Sequence, residues 1–212
     1  MQDSTYWLLF LSAAFAINIS PGPDIIYIVS KTIAQGRKIG FASSLGVCTG
    51  ALVYVIATAL GLSAILETSL IAFNIVKYAG AIYLVYLGIK ALKSKGTTFD
   101  STENESSLYT PWQAFRQGVL VDVLNPKVAV FFMAFLPQFV RPELGHTSGQ
   151  LLLLGVIVIL MAIVIEFSIV LTASQTTNFF RKNPTFSVWL DRVLGTVLIG
   201  LAVRLALTEN PS

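Results

Sequence analysis

The sequence predicts an all-α membrane protein of six transmembrane helices, built as two inverted three-helix repeats (3+3) in which helices 1 and 4 are broken. Three observations predict it. Apolar windows close to the ~20 residues that cross a bilayer as a helix recur along the whole chain. Two of them are interrupted at corresponding places by proline elements, Asn18-Ile19-Ser20-Pro21-Gly22-Pro23-Asp24 and Asn125-Pro126-Lys127. A polar stretch over 93–110, rich in Ser, Thr, Asp and Glu, divides the chain almost in half.

Composition points the same way. Of 212 residues, 55% are hydrophobic and 12% charged, and the mean hydropathy is +0.75. A soluble domain carries about 25% charged residues. The formal charge of +3 comes from positives placed in loops between apolar segments rather than on a basic face with interleaved aromatics, so nucleic acid is excluded as a partner. Cys48 is a single cysteine inside an apolar span, which rules out a disulfide framework within the chain. His146 is the one histidine and sits in a loop. No transition-metal site and no cofactor is expected.

The predicted spans are 6–33 (broken), 39–62, 71–92, 115–139 (broken), 150–172 and 188–207. In the first, Ala14-Phe15-Ala16 looks like a signal-peptidase site, but Asp3 stands where a positive leader would, and a second apolar run follows. The segment therefore reads as a span. In the second, Gly46 and Gly50 lie four apart, with Ser43, Ala57 and Gly61 near the same face, a spacing that lets helix backbones approach. Packing is favoured there over substrate contact. Residues 1–92 form the first repeat, 93–114 a cytoplasmic linker and 115–212 the second repeat.

Charge sets the orientation. With both termini outside, ten cations (Lys31, Arg37, Lys38, Lys90, Lys93, Lys95, Arg116, Arg181, Lys182 and Arg192) face the cytoplasm, and three (Lys77, Arg141 and Arg204) face out. That is a strong positive-inside bias. The Asn104-Glu105-Ser106 sequon then falls on the cytoplasmic side and is discounted. Three spans per half invert the second repeat, so the broken helices meet near the bilayer centre, where transporters place their sites.

The polar residues at the breaks carry the chemistry. Proline removes a backbone donor, and exposed backbone groups at membrane depth are tolerated only against protein or a watery cavity. Asp24 follows Pro23 in a restarting helix, where the dipole stabilises a carboxylate. It is either an N-terminal cap or a protonatable group coupled to transport. The second is favoured, because ionisable groups inside spans are costly and usually functional. Asn18 and Ser20 either complete hydrogen bonds at the break or line the cavity. Asn125-Pro126-Lys127 reads as N-cap and first two helical positions. Lys127 opposes its helix dipole there and needs an anion: Asp122, Asp24 across the pseudo-axis, or a substrate carboxylate. Glu166 in the fifth span is a further candidate for lining the route. For Tyr54, Tyr83 and Tyr86, anchoring or packing is favoured over a cavity role.

Together, Ser20-Pro21-Gly22-Pro23-Asp24, the Gly36-Arg37-Lys38 turn, the run from Gly80 to Gly88, and Asn125-Pro126-Lys127 with Phe131-Phe132 and Leu136-Pro137-Gln138-Phe139 resemble the LysE/RhtB superfamily of amino-acid exporters, nearly end to end. The resemblance implies a multi-pass protein of the bacterial inner membrane that exports amino acids or derivatives by proton or cation antiport. It is nearest the neutral branch handling homoserine, threonine or leucine. In that reading a zwitterion meets Lys127 and helix-start amides with its carboxylate, and Asp24, Asp122 or exposed carbonyls with its ammonium. A proton on Asp24 releases it outward. A passive channel and a structural membrane protein are the rivals. An enzyme is not expected, since no nucleophile with its base is visible. Homo-oligomerisation stays open.

Overall fold

A computed structural model describes residues 4–62, 78, 81–82, 84–86, 88–94, 108–173, 175 and 183–207. Half of the predicted third span, including Lys77, Gly80 and Tyr83, lies outside the described residues, as do Lys95, most of the linker, Arg181 and Lys182. Among the described residues every regular element is helical.

Helix α1 (Ser4–Ile19) stops before Pro21, because a residue preceding proline is pushed out of the helical region. Helix α2 (Pro23–Gln35) begins with Pro23 in the first turn, where the missing N–H costs nothing. The two axes diverge by 48°. Gly36 then turns the chain with φ 86°, a left-handed-side conformation that glycine adopts without a Cβ clash. Helix α3 (Arg37–Ala57) follows and widens into a π-helical turn, Thr58–Leu62.

The second half opens on Thr110, whose side chain and that of Gln113 form a reciprocal capping box for α4 (Pro111–Val123). After the break at Leu124 and Asn125, α5 (Pro126–Val130) runs on through a π-helical turn, Phe131–Phe135, and a 3-10 turn, Leu136–Phe139. This pair is bent by 53°. Helix α6 (Thr147–Leu171) is unbroken, and α7 (Pro184–Leu207) contains the predicted sixth span.

By length and composition α3 with its π-turn and α6 can each cross a membrane, and the two bent pairs raise the number to four among the described residues. The protein is an all-α, multi-pass membrane protein with the first and fourth predicted spans broken where the prolines stand.

Small residues set how closely the helices approach. A Cβ on Gly46 would strike the carbonyl of Phe115, and one on Gly118 would sit 2.5 Å from the carbonyl of Ser43. The α3–α4 seam is therefore a backbone-to-backbone contact, as the glycine spacing predicts. Ala57 and Gly61 do not share it: both are exposed, and a Cβ on Gly61 meets nothing. The reason is that α4 ends at Val123, opposite Tyr54, whose hydroxyl donates to the Val123 carbonyl. Beyond that point α3 has no α4 to pack on. A second close crossing joins residues 88–92 to α7, where a Cβ on Gly195 would lie 2.7 Å from the Gly88 carbonyl.

Both ends of the broken spans are pinned. Phe10, Phe131, Phe132, Phe135 and Phe139 share one buried core, and the Tyr6 hydroxyl donates to the Phe139 carbonyl at 2.6 Å. At the other end Lys31 is buried with its ammonium 3.6 Å from the Tyr109 ring centroid, and Tyr109 N–H donates to Gln35 Oε1 at 2.7 Å. The Lys31 ammonium thus lies over an aromatic face.

Candidate functional site

The two breaks converge. Lys127 at the second position of α5 places its Nζ 3.0 and 3.2 Å from the two carboxylate oxygens of Asp24 at the second position of α2. The same ammonium donates to the carbonyls of Ile17 at 3.2 Å and Ser20 at 3.1 Å. Those carbonyls end α1 and have lost their helical partners to the break. Lysine opposes the dipole of its own helix, but here it faces the negative end of α1 and a carboxylate. The conflict in the sequence is resolved by two neighbours, only one of which the sequence suggested.

Of the two readings open for Asp24, capping is not what the geometry shows. The residue flanking α2 is Gly22, which offers no side-chain cap, and the carboxylate goes to Lys127. Gly22 is what permits this: a Cβ there would overlap Asp24 Oδ1 and lie 2.8 Å from Lys127 Nζ.

Asn125 caps α5 with Oδ1, accepting from the Lys127 backbone N–H at 3.1 Å. That amide is therefore already occupied by its own cap. The other end of the same side chain, Nδ2, is buried without a hydrogen-bond partner. Ser20 is buried beside the break, while the Asn18 amide reaches the Val158 carbonyl across to α6 at 3.4 Å.

Asp122 is 1% exposed, and its Oδ2 also lacks a partner. It does not touch Lys127; it packs under Gly50, whose Cβ would fall 2.6 Å from Asp122 Cβ. Glu166 on α6 is buried and accepts on Oε2 from the Ser44 hydroxyl at 2.7 Å and the Cys48 thiol at 3.5 Å. Sequence reasoning missed both donors; no local signal links them to a glutamate more than a hundred residues away.

Two spaces meet at Lys127. A central cavity of about 30 Å³ is bordered by Asn18, Asp24, Cys48, Asp122, Lys127 and Glu166, with apolar walls from Ile17, Val128, Phe131, Phe132 and Val158. At ~10–15 Å³ per water it holds about two waters. It is too small for an amino acid. A larger vestibule of about 550 Å³ reaches the same breaks and is bordered by Ser20, Gly22, Lys90, Asn125, Lys127 and Asp191. Asp191 holds the far side of this vestibule by accepting from the Ser94 hydroxyl at 2.6 Å. Among the seven sequence-predicted site residues, Asn18, Asp24, Asp122, Lys127 and Glu166 border the central cavity, and Ser20, Asn125 and Lys127 border the vestibule.

Comparison with known proteins gives a consistent picture. The family model described as LysE type translocator matches residues 15–209. The uncharacterized membrane protein YrhP of Bacillus subtilis (strain 168) is 29% identical over 208 residues, covering 95% of this chain and 98% of the relative. An uncharacterized membrane protein of Vibrio cholerae is 27% identical, covering 97% and 98%. A leucine efflux protein of Salmonella choleraesuis (strain SC-B67) is 25% identical, covering 97% and 96%. No solved structure matches.

Proposed function

The chain belongs to the LysE type translocator family, and on that premise we propose that it is a secondary active exporter of a neutral, apolar amino acid, driven by proton antiport and working by alternating access. The observation that carries this reading is the Asp24–Lys127 pair, which borders the central cavity and whose Lys127 also borders the vestibule. An amino acid carries the same two charges on one small molecule. Its carboxylate can take the place of Asp24 on Lys127 and draw a further hydrogen bond from Asn125 Nδ2, a buried donor with no partner of its own. Its ammonium then meets Asp24 and the Ile17 and Ser20 carbonyls that Lys127 gives up. The exchange leaves no buried charge unpaired, so its desolvation cost is offset at each step.

The apolar walls favour an aliphatic side chain over a charged one, and one relative carries the printed name leucine efflux protein. Because the central cavity has room for only about two waters, the substrate enters it only as the helices part. Rocking of one inverted repeat against the other is the motion that would part them. A proton arriving from outside onto Asp24 removes the ammonium's counter-charge and releases substrate outward. The reading places the protein in the inner membrane with both termini outside and the vestibule facing the cytoplasm.

The test is reconstitution into proteoliposomes. Vesicles loaded with leucine should exchange it for labelled external leucine, and an inward proton gradient should drive net leucine efflux, while lysine should not exchange. A pore that equilibrates leucine without counterflow contradicts the reading. Counterflow and proton coupling at the wild-type rate in Asp24→Asn would remove Asp24 from the proton step.

A further inference from the structure

The central cavity holds more acid than the Asp24–Lys127 pair can account for. Three carboxylates border it, Asp24 from α2, Asp122 from α4 and Glu166 from α6, against one ammonium, Lys127 from α5. The other polar groups facing Glu166 are Ser44 and Cys48 of α3, both donors to the same oxygen. Asp24 and Lys127 neutralise each other at 3.0 Å. Asp122 and Glu166 then have no cation in contact, and both are buried, Asp122 with one oxygen bare. Two uncompensated charges in a nearly dry space at membrane depth are not sustainable, so the cavity must take up positive charge. Among the described residues no group of three or more His, Cys, Asp or Glu side chains converges closely enough to hold a metal ion. The space for about two waters admits a proton carrier instead.

We infer that Glu166, with Asp122 on the same cavity, is a second proton-binding site that supplies the Asp24–Lys127 pair through the water-sized space between them. The inference rests on the proton-antiport reading and gives the driving ion a seat apart from the substrate's. A proton from outside adds to the Glu166 carboxylate and then passes by cavity water to Asp24. There it displaces the ammonium and leaves to the cytoplasm when the next substrate arrives. Ser44 and Cys48 act as positioning residues: both donate to Glu166 Oε2 and fix its carboxylate at the cavity.

Two assays on the reconstituted protein separate the roles. Leucine counterflow without a proton gradient reads substrate exchange; net leucine movement under an imposed gradient reads coupling. Glu166→Gln should still exchange leucine but lose gradient-driven movement to the level of protein-free vesicles, whereas Lys127→Met should lose both. Ser44→Ala, which keeps the carboxylate, should keep gradient-driven movement and shift the pH at which it is half-maximal. The inference is overturned if Glu166→Gln remains gradient-driven. It is equally overturned if Glu166→Gln loses both activities while Ser44→Ala keeps the wild-type pH profile, which marks a structural role. Wild-type protein that exchanges leucine yet ignores the proton gradient, or answers a sodium gradient instead, overturns the antiport reading and this inference together. Wild-type coupling with an indifferent Glu166→Gln overturns this inference alone.

Discussion

The two sides of the central cavity use the same functional group in opposite ways. Asp24, Asp122 and Glu166 are buried alike, at 6%, 1% and 4% exposure. Asp24 sits at a helix break and is tied to an ammonium and, through it, to two orphaned carbonyls. Asp122 ends α4 just before the second break, and Glu166 sits within the unbroken α6; Glu166 accepts from the neutral donors Ser44 and Cys48, and one Asp122 oxygen has no donor. Burial therefore does not distinguish them; the partner does. The carbonyls freed at the first break join Asp24 in holding the Lys127 ammonium; in the proposed function that pair is what a zwitterion exchanges with, and the two carboxylates without a cation are what a moving proton balances.

Disrupting the paired side should have the largest effect. Lys127→Met leaves Asp24 buried beside carbonyls without a counter-charge, and breaking a buried pair costs ~3–5 kcal/mol. A matching fall in thermal stability in detergent is expected, with recovery of most of it in the double variant Asp24→Asn/Lys127→Met. A single variant as stable as the wild type would remove the ion pair from the account of the fold. Gly22→Ala comes next, since its methyl must push apart the groups it meets, Asp24 Oδ1 and Lys127 Nζ. Overpacking costs about 1–3 kcal/mol, and leucine exchange should fall with it.

On the unpaired side, Gly50→Ala forces Asp122 and the Val119 carbonyl away from α3, again at about 1–3 kcal/mol. Gly61→Ala, with open space around it, should change stability by under ~0.5 kcal/mol. Equal effects at the two glycines would dissolve the α3–α4 seam as a feature. Tyr54→Phe, which removes the donor to the Val123 carbonyl, should cost about 1 kcal/mol and leave proton coupling intact. Thermal unfolding checks all three.

How much of this could be read in advance follows from how local each signal is. The breaks were legible because proline acts on its own backbone and its immediate neighbour. That Lys127 needs an anion was legible because a lysine in a first helical turn opposes the dipole; which of Asp24, Asp122 or a substrate carboxylate supplies it was not, nor were the Ile17 and Ser20 carbonyls in particular, since backbone acceptors leave no mark on the sequence. Glu166 was legible as an isolated acid in an apolar run, but Ser44 and Cys48 belong to α3, and only folding brings them to it. Ala57 and Gly61 shared the helical period of Gly50, yet periodicity along one helix says nothing of where its neighbour ends.

The central claim is that the Asp24–Lys127 pair is the docking site of a zwitterion. Equilibrium binding of labelled leucine to the purified, folded double variant Asp24→Asn/Lys127→Met, beside wild type, tests it without the complication of a stranded charge. Saturable binding by wild type and none by the double variant is the predicted result; equal binding by both would contradict it.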